Sequence, residues 1–540
     1  MARNETRILR MLGWALIALL AGPQFTGAQR LKPIPHPVGR PQATGPAQPQ
    51  AQASASGSAG ASPWTPLTNQ PTFLVDGAAN PILLTDGTVL VQDAGFPDWW
   101  KLTPDQNGSY VNGTWTQVAS LPPGYSPLYH SSAVLPDGRL IIEGGEYLCD
   151  PATFACNAVW TNLGAIYDPV ANAWTSVNPP AGWVNIGDAQ SVVLPNGTYM
   201  QANCCTTQQA LLDAKTLTWM QTGANKFDIN DEEGWTLLPN GEVLTVDAYV
   251  PAGIPYEPLG TNSEVYNPGT GSWLSAGSTI VQLWDSAHGC GGMRHASFEL
   301  GPGILRPDGT VFYTGANSCG TGHTAIFNSQ EGTWAAGPDF PNGLDIADGP
   351  ASLLPSGNVL VDASPGIFNS PTFFFEFDGT KLNPVAGPPN AAIDSSFFGN
   401  MLVLPTGQVL LTDFSDDIEI YSAAGTFNPA WAPTIKSAPA TVSRGGSYVI
   451  SGTLFNGVSQ GAAYGDDAQA ATNFPLVRIT NRATGHVFYS RTHDPSSMAV
   501  ANSGLVSTHF DVPADQERGI SDLEVVANGI PSPAVRVRVQ

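Results

Sequence analysis

The sequence predicts an all-β protein, a seven-bladed β-propeller followed by a small β-sandwich. Three observations carry this reading. A glycine-centred turn recurs seven times along residues 73–413 at blade-sized spacing. An aromatic-to-Trp signature follows several of those turns. Charge then divides the chain. Residues 62–432 hold 35 acidic and 7 basic side chains, a net charge of −28, whereas residues 433–540 hold eight of each.

The turns set the repeat. They read Leu84-Thr85-Asp86-Gly87, Leu135-Pro136-Asp137-Gly138, Leu194-Pro195-Asn196-Gly197 and Leu238-Pro239-Asn240-Gly241. Arg306-Pro307-Asp308-Gly309, Leu354-Pro355-Ser356-Gly357 and Leu404-Pro405-Thr406-Gly407 complete the set. Asp-Gly and Asn-Gly supply the positive φ that a tight β-hairpin needs. The flanks, such as Thr88-Val89-Leu90-Val91, are short and rich in β-branched residues, as buried strands are. Successive turn glycines lie 51, 59, 44, 68, 48 and 50 residues apart, which fits four-stranded blades with loop insertions.

The second signature runs from Tyr167 to Trp174, Leu212 to Trp219, Tyr266 to Trp273 and Phe327 to Trp334. These segments are expected to be the outer strands, with each Trp packed between blades. One blade cannot bury both of its faces, so the seven must close into a ring. Trp64 precedes the first turn and looks like the outer-strand Trp of a blade without a beginning. It is expected to complete the last blade and fasten the ring.

The ends are different in kind. Residues 1–28 read as a secretory signal, with Arg3, Arg7 and Arg10 before a short apolar run and small residues at Thr26-Gly27-Ala28. Residues 29–62 are rich in Pro, Gln, Ala and Ser and read as a disordered tether. The propeller is assigned to 63–432 and the sandwich to 433–540. No later stretch is long and apolar enough for a membrane span. A secreted location, extracellular or periplasmic, and a monomer are expected. Six cysteines in an oxidising compartment predict disulfides. Cys149 is expected to pair with Cys156, and Cys290 with Cys319, which leaves Cys204 beside Cys205. A surface this acidic repels phosphate backbones, so nucleic acid is excluded as a partner. The chain carries no nucleophile elbow, P-loop or HExxH helix.

The repeat, with Glu143-Gly144-Gly145 after one hairpin, resembles Kelch repeats. A propeller followed by a segment containing Pro475-Leu476-Val477-Arg478, Arg491-Thr492-His493-Asp494 and Phe510-Asp511-Val512-Pro513 resembles the galactose oxidase and glyoxal oxidase superfamily. The resemblance implies an immunoglobulin-like sandwich at the C-terminus. It also implies a copper centre of two tyrosines and two histidines, with one tyrosine cross-linked to a cysteine. Tyr129, nine residues before Gly138 and followed by His130, matches the cross-linked tyrosine. Ala78 stands where the cysteine belongs, and Phe397-Phe398 stand where the second tyrosine and a histidine belong. The last histidine comes from a C-terminal hairpin that enters the channel, and His493 fits it. Phenyl rings cannot ligate copper, so the radical-copper site is expected to be missing.

The same register makes a further point. Nine residues before the turn glycines stand Ala78, Tyr129, Asp188, Glu232, Leu300, Asp348 and Phe398. Equivalent positions of a ring face one region, so Asp188, Glu232 and Asp348 are expected to converge, with Asp231, Glu233 and Glu299 beside them and Asp345 and Asp394 at the rim. Crowded carboxylates call for a cation. Ca²⁺, a ligand amine, Arg294, or Arg491 and His493 are the candidates. The expected function is recognition of an extracellular carbohydrate or protein at the channel mouth. An oxidoreductase with an altered metal centre built on Tyr129, His130 and His493 is the alternative, and a structural protein of the envelope or matrix is the third class.

Overall fold

The computed structural model describes residues 62–248, 260–286, 297–317 and 319–540. The signal, most of the tether, Arg294 and Cys290 lie outside the described residues. Among the described residues no α-helix forms, only short 3₁₀ turns, and no helix is long and apolar enough to cross a membrane.

Seven antiparallel sheets follow one another along the chain, six of four strands and one of five. Blade 1 consists of Ala78–Leu83, Val89–Asp93, Trp99–Thr103 and Thr114–Gln117. Blades 2 to 6 repeat this order. Blade 7 has Asn400–Val403, Val409–Thr412 and Glu419–Tyr421, and takes Trp64–Pro66 as its outer strand, with Trp64 opposite Tyr421. The two ends of the propeller are thus pinned in one sheet, and the inner strands of blades 7 and 1 stand side by side to close the ring.

The turn chemistry accounts for the repetition. All seven turn glycines have φ between 77° and 87°. In blade 1 the Gly87 N–H donates to Leu84 O at 3.0 Å and Asp86 Oδ1 accepts from Thr88 N at 3.0 Å. A Cβ on Gly197 would meet Pro136 at 2.8 Å, and one on Gly241 would meet Pro195 at 3.0 Å. The turns of blades 3, 4 and 7 therefore lie against the proline of the blade before them, the last through Gly407 and Pro355 at 3.0 Å.

The aromatic-to-Trp pairs are direct cross-strand partners: Tyr167 opposite Trp174, Leu212 opposite Trp219, Tyr266 opposite Trp273 and Phe327 opposite Trp334. Each indole N–H reaches back to the preceding blade. Trp174 donates to Ala119 O at 2.8 Å, Trp219 to Asn178 O at 2.7 Å and Trp334 to Ser263 Oγ at 2.9 Å. Trp64 does the same toward Ala386 O at 2.6 Å. Burying a large ring between blades while satisfying its polar atom is what the position requires.

Blade 2 carries a small extra sheet of Pro127–Leu128, Tyr147–Asp150 and Ala155–Ala158, closed by the Cys149–Cys156 disulfide. Cys204 and Cys205 form a disulfide between neighbours. Cys319 is disulfide-bonded.

The C-terminal strands, from Thr434–Ser437 to Val535–Val539, wrap one core that includes Ile450, Val477, Phe510 and Leu523. Val487–His493 pairs with Leu476–Asn481 through its first half and with Val506–Asp511 through its second, so it crosses between two sheets. This part packs on the propeller face that holds the inner turns: Thr492 N donates to Thr85 O at 3.1 Å and Met498 N to Pro195 O at 2.9 Å.

From it a tongue, residues 456–474, enters the central channel. Ala462–Tyr464 adds a fifth strand to the inner edge of blade 6. The tongue is also bonded to blades 2, 3, 4 and 7. Ala468 N donates to His130 O at 3.1 Å and Ser191 Oγ to Gln469 Oε1 at 3.2 Å. Leu237 N donates to Gln460 Oε1 at 2.7 Å, and Tyr464 Oη to Phe397 O at 2.7 Å. Gly465 is required by close approach, because a Cβ there would fall on Asp348 Oδ1.

Candidate functional site

The tongue ends its climb at the channel end opposite the inner turns, where the blades begin their inner strands. Tyr129, Glu232 and Asp348 hold equivalent positions there and share a left-handed backbone, with φ of 52°, 59° and 53°. Such conformations are unfavourable for side chains larger than glycine, and they cluster at functional sites.

Two triads of carboxylates meet at Glu232. Asp188, Glu232 and Asp466 have ligand atoms within 4.8 Å of one another, and so do Glu232, Glu299 and Asp348. Asp231 approaches Asp188 over the Cys204 sulfur within the same limit. Blades 3, 4, 5 and 6 and the tongue therefore each supply a carboxylate to one cage. All of these side chains are buried. The cage lies below the rim rather than in an open funnel, which suits an ion better than a sugar. Cys204 braces it from below: its backbone N–H donates to Ile186 O at 3.0 Å, and its sulfur packs against Gly187, next to Asp188.

The predicted neighbour Glu233 faces elsewhere, and Asp345, expected at the rim, is fully buried. Glu233 turns away to the Lys226 ammonium, 2.8 Å distant. That ammonium also meets Glu264 at 2.8 Å, Asp247 at 3.6 Å and Asp228. Burial alone would discharge Lys226, yet the four carboxylates raise its pKa well above the ordinary lysine range. Asp345 accepts from Asn317 N at 2.7 Å, and burial lifts its pKa to about 7.

Beside the cage a small pocket is lined by Asn80, Gln92, Tyr129, His130, Phe414 and Asp467. Phe398 joins Tyr129 and Phe414 in one hydrophobic cluster. This is where the resemblance places copper, and the residues do not fit it. Phe397 stacks on Phe398 at 4.3 Å between centroids. The ring nitrogens of His130 face Gln92 Oε1 at 2.9 Å and Ser131 O at 3.1 Å, and burial pushes its pKa down to about 4, so the neutral ring donates to one of the two. The tongue brings Asp466 and Asp467 into the channel, and no histidine.

His493 and Arg491 do not reach this end. Asp494 N donates to Pro136 O at 2.7 Å, and Arg491 Nη2 donates to Asp137 O. Pro136 and Asp137 follow the inner strand Ser131–Val134, whereas Tyr129 and His130 precede it, so the two sets stand at opposite ends of one strand. A metal centre joining Tyr129, His130 and His493 is therefore not assembled. Asp466 and Asp467 escaped the sequence reading. Their one signal was an acidic pair after Gly465 in a stretch otherwise poor in charge.

Comparisons with known proteins give distant likenesses. No family model matches the chain. It is 27% identical over 139 residues to a Kelch-like protein of Aspergillus terreus, a match covering 25% of this chain and 27% of that relative. The chain has a propeller fold, set by its own strand pairing. Among solved structures it is similar to a fungal alcohol oxidase of the AA5 family in complex with copper, at 14% identity and a TM-score of 0.47, over 88% of this chain and 98% of the other. It is also similar to a streptogramin B lyase, at 10% identity and a TM-score of 0.41, over 66% of this chain and 96% of the other. Likenesses at this level carry nothing about chemistry, and the blades rest on the strand pairing of this chain itself.

Proposed function

We propose that this chain is an extracellular recognition propeller that holds Ca²⁺ in the carboxylate cage and binds a carbohydrate in the adjoining pocket. The observation that carries the reading is the convergence of buried carboxylates from four blades and the tongue in two triads that share Glu232, each with its ligand atoms within 4.8 Å of one another. Like charges so close in a poorly solvated place repel strongly, and a divalent cation relieves the repulsion. Ca²⁺ takes six to eight oxygen ligands in irregular geometry, which suits a carboxylate-only donor set from five separate segments. The neighbouring pocket combines aromatic faces with amide and carboxylate groups, the mixture that stacks on and hydrogen-bonds to a sugar.

Elemental analysis of the folded protein tests the cation, with calcium, copper and no metal as separate outcomes. One bound calcium in the wild type, lost in the double variant Asp188→Asn, Glu232→Gln, is the expected result. A glycan array tests the ligand: binding is expected, and Tyr129→Ala is expected to abolish it. A metal-free protein would overturn the cation half of the proposal, and a blank array with calcium present would overturn the carbohydrate half.

A further inference from the structure

A second cluster of metal-binding side chains lies at the opposite end of the molecule. His493, on Val487–His493, and His509, on Val506–Asp511, are direct cross-strand partners. Their rings stack at 5.3 Å between centroids, 16° from parallel. Asp494 follows at once, and its Oδ2 lies 2.7 Å from His493 Nδ1. Ligand atoms of His493, Asp494 and His509 all fall within 4.8 Å of one another. Asp494 is held in place by its own N–H, which donates to Pro136 O at 2.7 Å.

The other side of the His493 ring is also specified. Nε2 stands 3.3 Å from Asp511 Oδ1, and Asp511 Oδ2 is paired with Arg491 at 3.2 Å. A carboxylate that accepts from one ring nitrogen fixes the tautomer and leaves the other nitrogen's lone pair for a metal. Here that other nitrogen faces the Asp494 carboxylate. Two electron pairs meet there, and something positive must stand between them, either a proton or an ion.

We propose that His493 Nδ1, His509 and Asp494 bind a Zn²⁺ ion, with Asp511 and Arg491 orienting His493. Two imidazoles and a carboxylate with one open position form a donor set that zinc accepts. His509 and Asp494 are exposed, so the fourth position is open to water. The ion would tie together the strand pair whose loop rests on the turns of blades 2 and 3, through Asp494 N to Pro136 O and Met498 N to Pro195 O, and so would fasten the C-terminal part to the propeller.

The test is titration calorimetry with ZnCl₂ on the full chain in saturating calcium, together with a thermal melt. Saturating calcium occupies the carboxylate cage, and a repeat in the Asp188→Asn, Glu232→Gln background separates the two sites. One zinc per chain and a raised melting temperature are expected in both backgrounds. His509→Ala changes an exposed side chain and should remove that site. Asp511→Asn should weaken binding about 10- to 100-fold, the usual effect of losing an orienting partner. Zinc bound equally well by His509→Ala would overturn the proposal, as would a wild type that takes up none.

Discussion

Lys226 is enclosed by Asp228, Glu233, Asp247 and Glu264, and its ammonium is the positive charge that stands among them. Replacing it with methionine keeps the volume and strands the carboxylates. Removing one partner of a buried ionic group costs about 3–5 kcal/mol, because charges are left uncompensated. Lys226→Met should therefore lose about that much in chemical denaturation. A loss below about 1 kcal/mol would show that the carboxylates are already neutralised by protons. Gly465 supports a prediction of another kind. A Cβ at this position would fall on Asp348 Oδ1. Gly465→Ala should push the tongue from the cage and remove calcium binding, yet leave the blades paired, so calorimetry changes while the far-ultraviolet circular dichroism does not.

At the level of elements, the clasp of blade 7 decides whether the ring stays shut. Trp64 is buried, pairs opposite Tyr421, and lies 5.1 Å from Phe374 between ring centroids. Its truncation to alanine removes an inter-blade hydrogen bond and leaves a cavity, and large-to-small changes of this size cost about 3–5 kcal/mol. Trp64→Ala should lower the denaturation midpoint accordingly, whereas Met220→Ala, at an exposed outer-strand position, should not. The clasp was legible in the sequence because the Trp signature repeats and Trp64 had no turn before it. The convergence of Asp188, Glu232 and Asp348 was legible for the same reason: repeats put equal offsets in equal places. The tongue was not. Residues 456–474 have neither strand nor helix periodicity, and their path is set by the shape of a channel that only the closed ring creates. His493 was assigned to the channel by resemblance, and the contacts of Arg491, Thr492 and Asp494 with the inner turns hold it at the other end. Lys226 gave only the weak signal of a lone base close to Asp228 and Glu233.

The whole molecule carries a net charge of −23, and part of that negative charge is buried at a cost that depends on pH. Burial raises Asp345 and Asp76 to about 7 and Glu419 to about 9, in the last case with the charges of Asp413 and Asp417 adding to it. A carboxyl raised in the folded state stays protonated after its unfolded counterpart has ionised. The folded state then binds more protons than the unfolded one, so stability falls as pH rises from the unfolded to the folded pKa. His130 acts in the opposite sense. Its pKa is depressed from 6.5 to about 4, so its contribution rises with pH between those values and is constant above them. Above pH 6.5 only the carboxyls remain, and the melting temperature should fall continuously from pH 6.5 to pH 9. Glu419→Gln separates this cause from general self-repulsion of the surface, since glutamine keeps the shape of the protonated acid and cannot ionise. At pH 4, below the ordinary glutamate pKa of 4.5, the variant should melt with the wild type, and at pH 6 it should already melt somewhat higher. At pH 9, in the same calcium, it should melt higher. Parallel curves for the two proteins across this range would mean that the buried acid is not what makes the propeller sensitive to alkali.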